Sequence, residues 1–273
     1  MTSEYYFAEG PHIVHTFPRD NDVRGVALLN NELYVLRDRD DDQVDIYSTT
    51  DFTLLSYLSV RGVSGRSMRD ITACERKRCI YISDNGMSCV HRVRLDAGMS
   101  VNKWRLGGGS PRGLSLTRSS NLLVTCSDWR GKDCKLLELS SDSGDCVREI
   151  RLESCIDWLW HGIELDSGQY IVCCGTRAMN SRLCQVDSEG RVTERNSSDE
   201  GLSCPCHLAV DVDGSVFVAN AGDKYVPQCD AALKFVGIII KHKLHSPQRL
   251  CVDHVKRCLY VGQTDGNVIV VQL

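Results

Sequence analysis

The chain is short of the features that mark most specialised proteins. No window approaches 18 consecutive apolar residues, so no membrane-spanning helix is expected. No stretch sustains a 3.6-residue apolar period, so helix content should be minimal. The opening Met1-Thr2-Ser3-Glu4-Tyr5-Tyr6 has neither a basic start nor an apolar core, which argues against a secretory signal. Charge of one sign is missing too. The 32 Lys and Arg oppose 36 Asp and Glu, and a net −4 does not announce a nucleic-acid or membrane binder. His-Glu-x-x-His, Gly-x-Ser-x-Gly and Gly-x-Gly-x-x-Gly are all absent, so zincin, nucleophile-elbow and dinucleotide-binding chemistry lose their usual signals.

Cysteine is the exception to this sparseness. Fifteen occur, an odd number, in a chain that is 42% hydrophobic and therefore able to build a core. Without an export signal they read as free thiols in a reducing, cytoplasmic setting. Many sit inside apolar runs such as Cys79-Ile80-Tyr81-Ile82 and Ile171-Val172-Cys173-Cys174, where a thiol serves as a small buried hydrophobe.

An internal period organises the chain. Lys77-Arg78-Cys79-Ile80-Tyr81-Ile82 and Lys256-Arg257-Cys258-Leu259-Tyr260-Val261 nearly superimpose. Each follows a short apolar strand that recurs elsewhere, with its leading apolar residue at 26, 71, 114, 163, 208 and 250. These positions lie 42 to 49 residues apart, the spacing of blades of four short strands, a to d. Pro111, Pro205 and Pro247 fall at strand entrances, where a missing N–H donor is tolerated. Asp213-Gly214, Asn85-Gly86 and Asp265-Gly266 supply hairpin turns.

The expected fold is therefore all-β: a six-bladed β-propeller of four-stranded antiparallel blades over residues 12–273, after an N-terminal tail at 1–11. The sixth repeat ends after its third strand, and His12–Phe17 is a spare strand before the first. Placing it in the last blade as the outer strand closes the ring and removes exposed edges. In the fifth repeat, strand d is expected at Leu233–Val236. Tyr225-Val226-Pro227-Gln228-Cys229 should form a distorted or mobile strand, because proline breaks the ladder.

Two tracts carry a family resemblance. Pro111-Arg112-Gly113-Leu114-Ser115-Leu116 resembles the start of an NHL repeat. So does Cys206-His207-Leu208-Ala209-Val210-Asp211-Val212-Asp213-Gly214-Ser215-Val216-Phe217-Val218-Ala219-Asn220, with His207 in place of the usual glycine. NHL propellers are familiar in tripartite-motif ubiquitin ligases, where they bind RNA or protein. A ligase also needs a RING module with Cys-x-x-Cys pairs, and none occurs here, so ligase activity does not carry over.

Candidate sites are few. Cys204-Pro205-Cys206-His207 places one residue between its cysteines and reads as a proline turn with buried thiols rather than a zinc site. Gly107-Gly108-Gly109 reads as a connector between blades. The central positions of the inner strands are Ala27, Thr72, Ser115, Glu164, Ala209 and Cys251. Only Glu164 is a hard ligand there, so no catalytic residue, metal or cofactor is assigned.

The residue ahead of each inner strand is more telling: Arg24, Arg69, Arg112, His161, Cys206 and Gln248, with Arg249 next in line. Loop residues Trp129, Arg130 and Arg177 should join them on one face around the channel mouth. Cations beside an aromatic suit an acidic peptide or a phosphate backbone. The expected function is a non-catalytic, monomeric recognition scaffold for a protein or peptide, without membrane contact. RNA binding and a lactonase-like metal-dependent hydrolase or lyase are the alternatives.

Overall fold

The computed structural model describes residues 10–60, 67–96, 99–176, 179–195, 202–241 and 243–273. Among these residues 24 strands form six four-stranded antiparallel sheets arranged around a central axis. Strand β1 (His12–Phe17) stands apart from its chain neighbours. Blade one follows as β2 (Val23–Leu29), β3 (Glu32–Arg37), β4 (Gln43–Ser48) and β5 (Leu54–Ser59). Blade two is β6 (Met68–Cys74), β7 (Cys79–Asp84), β8 (Cys89–Arg94) and β9 (Ser100–Arg105). Blade three is β10 (Ser110–Leu116), β11 (Leu122–Ser127), β12 (Lys135–Leu139) and β13 (Cys146–Arg151). Blade four is β14 (His161–Glu164), β15 (Tyr170–Thr176), β16 (Met179–Val186) and β17 (Val192–Arg195). Blade five is β18 (Pro205–Val210), β19 (Val216–Asn220), β20 (Tyr225–Cys229) and β21 (Phe235–Lys241). Blade six is β22 (Pro247–Asp253), β23 (Cys258–Gln263) and β24 (Val268–Gln272), completed by β1.

The closure occurs where the spare strand was expected. His12 pairs with Gln272 and Phe17 with Val268, so the first and last strands share one ladder. Among the described residues no helix is long and apolar enough to cross a membrane.

The core is a ring of six apolar clusters, one at each blade-to-blade interface. Leu36, Val44 and Ile46 of blade one meet Ile71, Ile80 and Ile82 of blade two. Phe17, Tyr260 and Val270 of blade six meet Val26, Leu33 and Val35 of blade one. The second strand of each blade is covered on both faces, which is why these strands read as unbroken apolar runs and not as alternation. In β7 every residue from Cys79 to Asp84 is buried. That placement explains the cysteine usage. All fifteen are thiols, and Cys146 is the one that is exposed, with Cys155, Cys204 and Cys251 partly so. Burial pushes Cys126 and Cys206 up to about 12, so they stay protonated and inert.

Blade five departs from expectation in its outer strand. Strand β21 begins at Phe235, not Leu233, because Asp230 builds a turn first. Its Oδ1 accepts the amides of Ala232 and Lys234 at 2.9 Å each, and Leu233 takes a positive φ of 61° with its side chain buried. Strand β20 does form, with a register shift between Val226 and Pro227 where the donor is missing.

Candidate functional site

Each inner strand opens on the same step. Its first residue is Arg24, Arg69, Arg112, His161, Cys206 or Gln248, and its second is Gly25, Asp70, Gly113, Gly162, His207 or Arg249. In five blades the ladder slips here, for example between Met68 and Asp70 and between Pro247 and Arg249. A bulge re-aims side chains, and here the polar second residues converge on the axis. Where that residue is glycine, it makes room. A Cβ on Gly113 would stand 2.7 Å from Cδ2 of His161 and 2.6 Å from the Trp160 carbonyl.

The result is a polar hub built on Asp70 and Arg249. One Asp70 oxygen, Oδ2, accepts the Leu114 amide at 2.8 Å and faces Nε2 of His207 at 3.5 Å and of His161 at 3.9 Å. The other, Oδ1, accepts the Ile71 amide at 2.9 Å and faces Arg249 at 3.5 Å. Arg249 in turn donates to the carbonyls of Arg24, Arg69 and Gln248. Two side chains thereby link all six blades.

Protonation states follow from burial and neighbours. Burial drives His161 down to about 3, with His207 and Arg249 adding to it against Asp70. His207 is also lowered by burial, although Asp70 opposes it. Both rings are therefore neutral near pH 7. Nε2–H of His161 donates to the Leu114 carbonyl at 3.1 Å, and Nδ1 of His207 accepts the Leu250 amide at 3.4 Å. Burial alone would raise the Asp70 carboxyl, but the His207 N–H and Arg249 outweigh it and hold the carboxyl below its ordinary value.

Among the described residues two groups have metal-ligand composition. Asp70, His161 and His207 place their donor atoms within 4.8 Å of one another. The imidazoles, however, stack at 3.8 Å with planes 28° apart. Both rings are also engaged with the backbone, through the Leu114 carbonyl and the Leu250 amide. The second group is Asp84, Cys89 and His91, where Nε2 of His91 lies 3.0 Å from Asp84 and 3.4 Å from Cys89. The Asp84–His91 pair occupies the blade position of the Arg37–Asp45 ion pair in blade one, where Nε and Oδ2 are 2.7 Å apart and fully buried. This parallel marks it as a lock within the blade.

The hub divides the channel. On one side lies a cavity of about 320 Å³ lined by the six central positions named from the sequence, Ala27, Thr72, Ser115, Glu164, Ala209 and Cys251, together with His254. Glu164 there accepts the Arg118 amide at 2.8 Å, and His254 faces Asp211 at 3.1 Å. On the other side is the mouth. The loops entering inner strands meet those joining second and third strands, as shown by Asp38–Asp22, Asn85–Ser67, Trp158–Gly131 and Gly222–Ser203 backbone hydrogen bonds.

The structure brings Arg24, Arg69 and Arg112 together at this mouth. Arg24 pairs with Asp38. Arg112 lies 5.4 Å from the Trp158 ring centre and 4.9 Å from that of Trp160, and its Nε donates to Ser127 at 3.1 Å. Arg69 is half-buried and has no hydrogen bond or ion pair from its guanidinium among the described residues. His161, 1% exposed, and Arg249 lie deeper, inside the hub. Trp129, 75% exposed and stacked under Arg130 at 4.5 Å, stands on the rim. Arg177 lies outside the described residues. Reading the first residue of each step found the arginines. The second residue, glycine in three blades and Asp70, His207 or Arg249 in the others, was the signal for the hub.

The architecture defines a six-bladed β-propeller. No protein-family model matches the chain, and no curated protein matches it in sequence. Among solved structures, virginiamycin B lyase from Staphylococcus aureus is similar at TM-score 0.67 and 8% identity, covering 97% of this chain and 99% of that one. A catalytically inactive variant of the lyase with quinupristin gives TM-score 0.69 at 8% identity, with the same coverage. Hydrazine synthase of Kuenenia stuttgartiensis gives 0.69 at 13% identity, covering 91% of this chain and 83% of that one. Such identities establish the fold and no more.

Proposed function

We propose that the protein is a non-catalytic recognition scaffold that docks a protein or peptide partner on the face around the mouth. One observation carries this reading. The titratable groups at the axis are committed to linking blades, whereas the mouth presents cationic and aromatic side chains not consumed by the fold. Trp129 and Arg130 are exposed, and Trp and Arg are the side chains most enriched at binding hot spots. The fifteen thiols support a reducing compartment, in keeping with a cytoplasmic setting. The NHL resemblance supports a binding role, and RNA is the alternative ligand it brings.

A second reading has an observation of its own. A lyase comparable to the Staphylococcus aureus protein would work in the 320 Å³ cavity, where Glu164 and His254 are titratable. Both already hold partners across blades, which favours the scaffold.

The test is affinity capture from native extract with and without nuclease. Trp129→Glu with Arg130→Glu alters the mouth face, and Val212→Glu with Val255→Glu alters the opposite face, where both valines are exposed. The expected outcome is a nuclease-resistant partner lost only with the mouth-face variant. Loss only with the opposite-face variant, or nuclease-sensitive capture, would overturn the proposal.

A further inference from the structure

We infer that the mouth holds an oxyanion, a carboxylate or phosphate carried on a side chain of a docked peptide, between Arg24, Arg69 and Arg112. This deepens the scaffold reading and rests on it. The argument begins with charge. Four guanidinium groups, of Arg24, Arg69, Arg112 and Arg249, gather at and below the mouth, against the carboxylates of Asp22, Asp38 and Asp70, with Asp22 4.0 Å from Arg24. Asp38 is engaged by Arg24, and Asp70 faces Arg249 inside the hub. Arg69 and Arg112 make no ion pair of their own among the described residues.

Their surroundings disfavour that state. Burial lowers Arg69, Arg24 and Arg249 lower it further, and Asp38 offsets this only in part. Burial also lowers Arg112, with Arg69 next. Like charges held together in a half-buried site are stabilised by an incoming anion. Free donors are in place to receive one. Nε of Arg24 is buried without a hydrogen-bond partner. The Arg69 guanidinium has no partner, and Arg112 commits only Nε.

The site is also rigid. The three arginines stand at the bulges of three consecutive inner strands, and Arg112 is held between Trp158 and Trp160. A pre-positioned fork loses little entropy on meeting a carboxylate or phosphate. The aromatic flank points to a peptide and not a free ion. Trp158 abuts Gly131, which follows Trp129 and Arg130, so the indole beside Arg112 lies against the loop that carries the rim residues. A continuous polyphosphate backbone would also run against Asp40, Asp41 and Asp42 on the adjoining loop, whereas a single oxyanion at the mouth meets Asp38 alone of these, and Arg24 already engages it.

The experiment uses the whole protein and short labelled peptides with a tryptophan beside a Glu-Glu pair, a phosphoserine, or a Gln-Gln control. Oligouridylate serves as the RNA probe. Fluorescence anisotropy should show one or both oxyanion peptides binding at least about tenfold tighter than the control. The Glu-Glu and phosphoserine arms distinguish carboxylate from phosphate. Arg69→Gln should weaken that binding by about 10- to 100-fold, the usual worth of charge-assisted hydrogen bonds. Arg191→Gln, an exposed change on blade four, should not.

A second readout separates ligand binding from folding. Inorganic phosphate should raise the melting temperature of the wild type and not of Arg69→Gln. Without phosphate, Arg69→Gln should melt no lower than the wild type, because it relieves repulsion. The inference is overturned if neither oxyanion peptide exceeds the Gln-Gln control, if Arg69→Gln binds like the wild type, or if oligouridylate binds tighter than every peptide. Should the peptides fail while capture from extract still depends on Trp129 and Arg130, the oxyanion site falls and the docking face stands.

Discussion

Replacing Asp70 with asparagine would test the hub most directly. The change keeps volume and removes one charge. Asp70 is fully buried and accepts two backbone amides, from Leu114 at 2.8 Å and Ile71 at 2.9 Å. An asparagine can accept only one of them, because its NH2 group must face the other donor. The larger loss is electrostatic. Arg249, with its side chain 12% exposed, would face no carboxylate at all. Removing one partner of a buried pair costs about 3–5 kcal/mol. At about 2–4 °C per kcal/mol for a domain of this size, the melting temperature should fall by roughly 6–20 °C. Differential scanning fluorimetry with urea unfolding measures it. Asp70→Asn combined with Arg249→Met should cost less than the sum of the two single changes, since the charges are coupled. An Asp70→Asn protein that melts within about 1 °C of the wild type would refute the hub, because only changes away from such features are that mild.

Three further outcomes follow from the same geometry. Stability should decline as pH falls from 6.5 towards 3. His161 is depressed to about 3 in the fold, so below 6.5 the unfolded chain takes up a proton that the folded one refuses. His207 acts in the same direction, with Asp70 and Arg249 facing both rings. Urea unfolding at stepped pH should show a slope of about 1.4 kcal/mol per pH unit from His161, steepened by His207 and reduced in His161→Gln; a flat profile would contradict the neutral assignment. Deleting residues 1–18 removes β1 from its ladder with β24 and should lower the melting temperature markedly or render the protein insoluble; unchanged melting would contradict the closure. Thiol titration should find Cys146 reacting quickly in the native protein and all fifteen cysteines after denaturation; fewer than fifteen would reveal disulfides.

Much of the fold was legible because strands announce themselves locally. The six leading apolar residues and the spare strand His12–Phe17 follow from period and turn chemistry. Both are short-range properties, and β1 occupies the span read for it. Leu233 was assigned to a strand on its apolar character, yet the turn set by Asp230 claimed it; a buried turn residue and a strand residue look alike in one dimension. The hub was the larger omission. Asp70, His207 and Arg249 lie far apart in the chain, and each is unremarkable among its neighbours. Only the repeat register aligns them opposite Gly25, Gly113 and Gly162, and only the bulge turns them to the axis. The mouth arginines were easier to find, since one residue type recurs at one position of the repeat. Trp158 and Trp160 were not placed with them, because nothing local signals that two rings bracket Arg112.

The hub bears on how the molecule comes apart. A linear array of repeats can fray from its ends, each unit held only by its neighbours. Here Arg249 reaches the Arg69 carbonyl across 180 residues of sequence, and Asp70 reaches His207 of the blade directly opposite. No blade can leave without disturbing contacts that serve the others. Six units that look separable in sequence are thereby tied into one cooperative transition, and a circle fastened at its centre as well as its seam offers no free end from which to unravel.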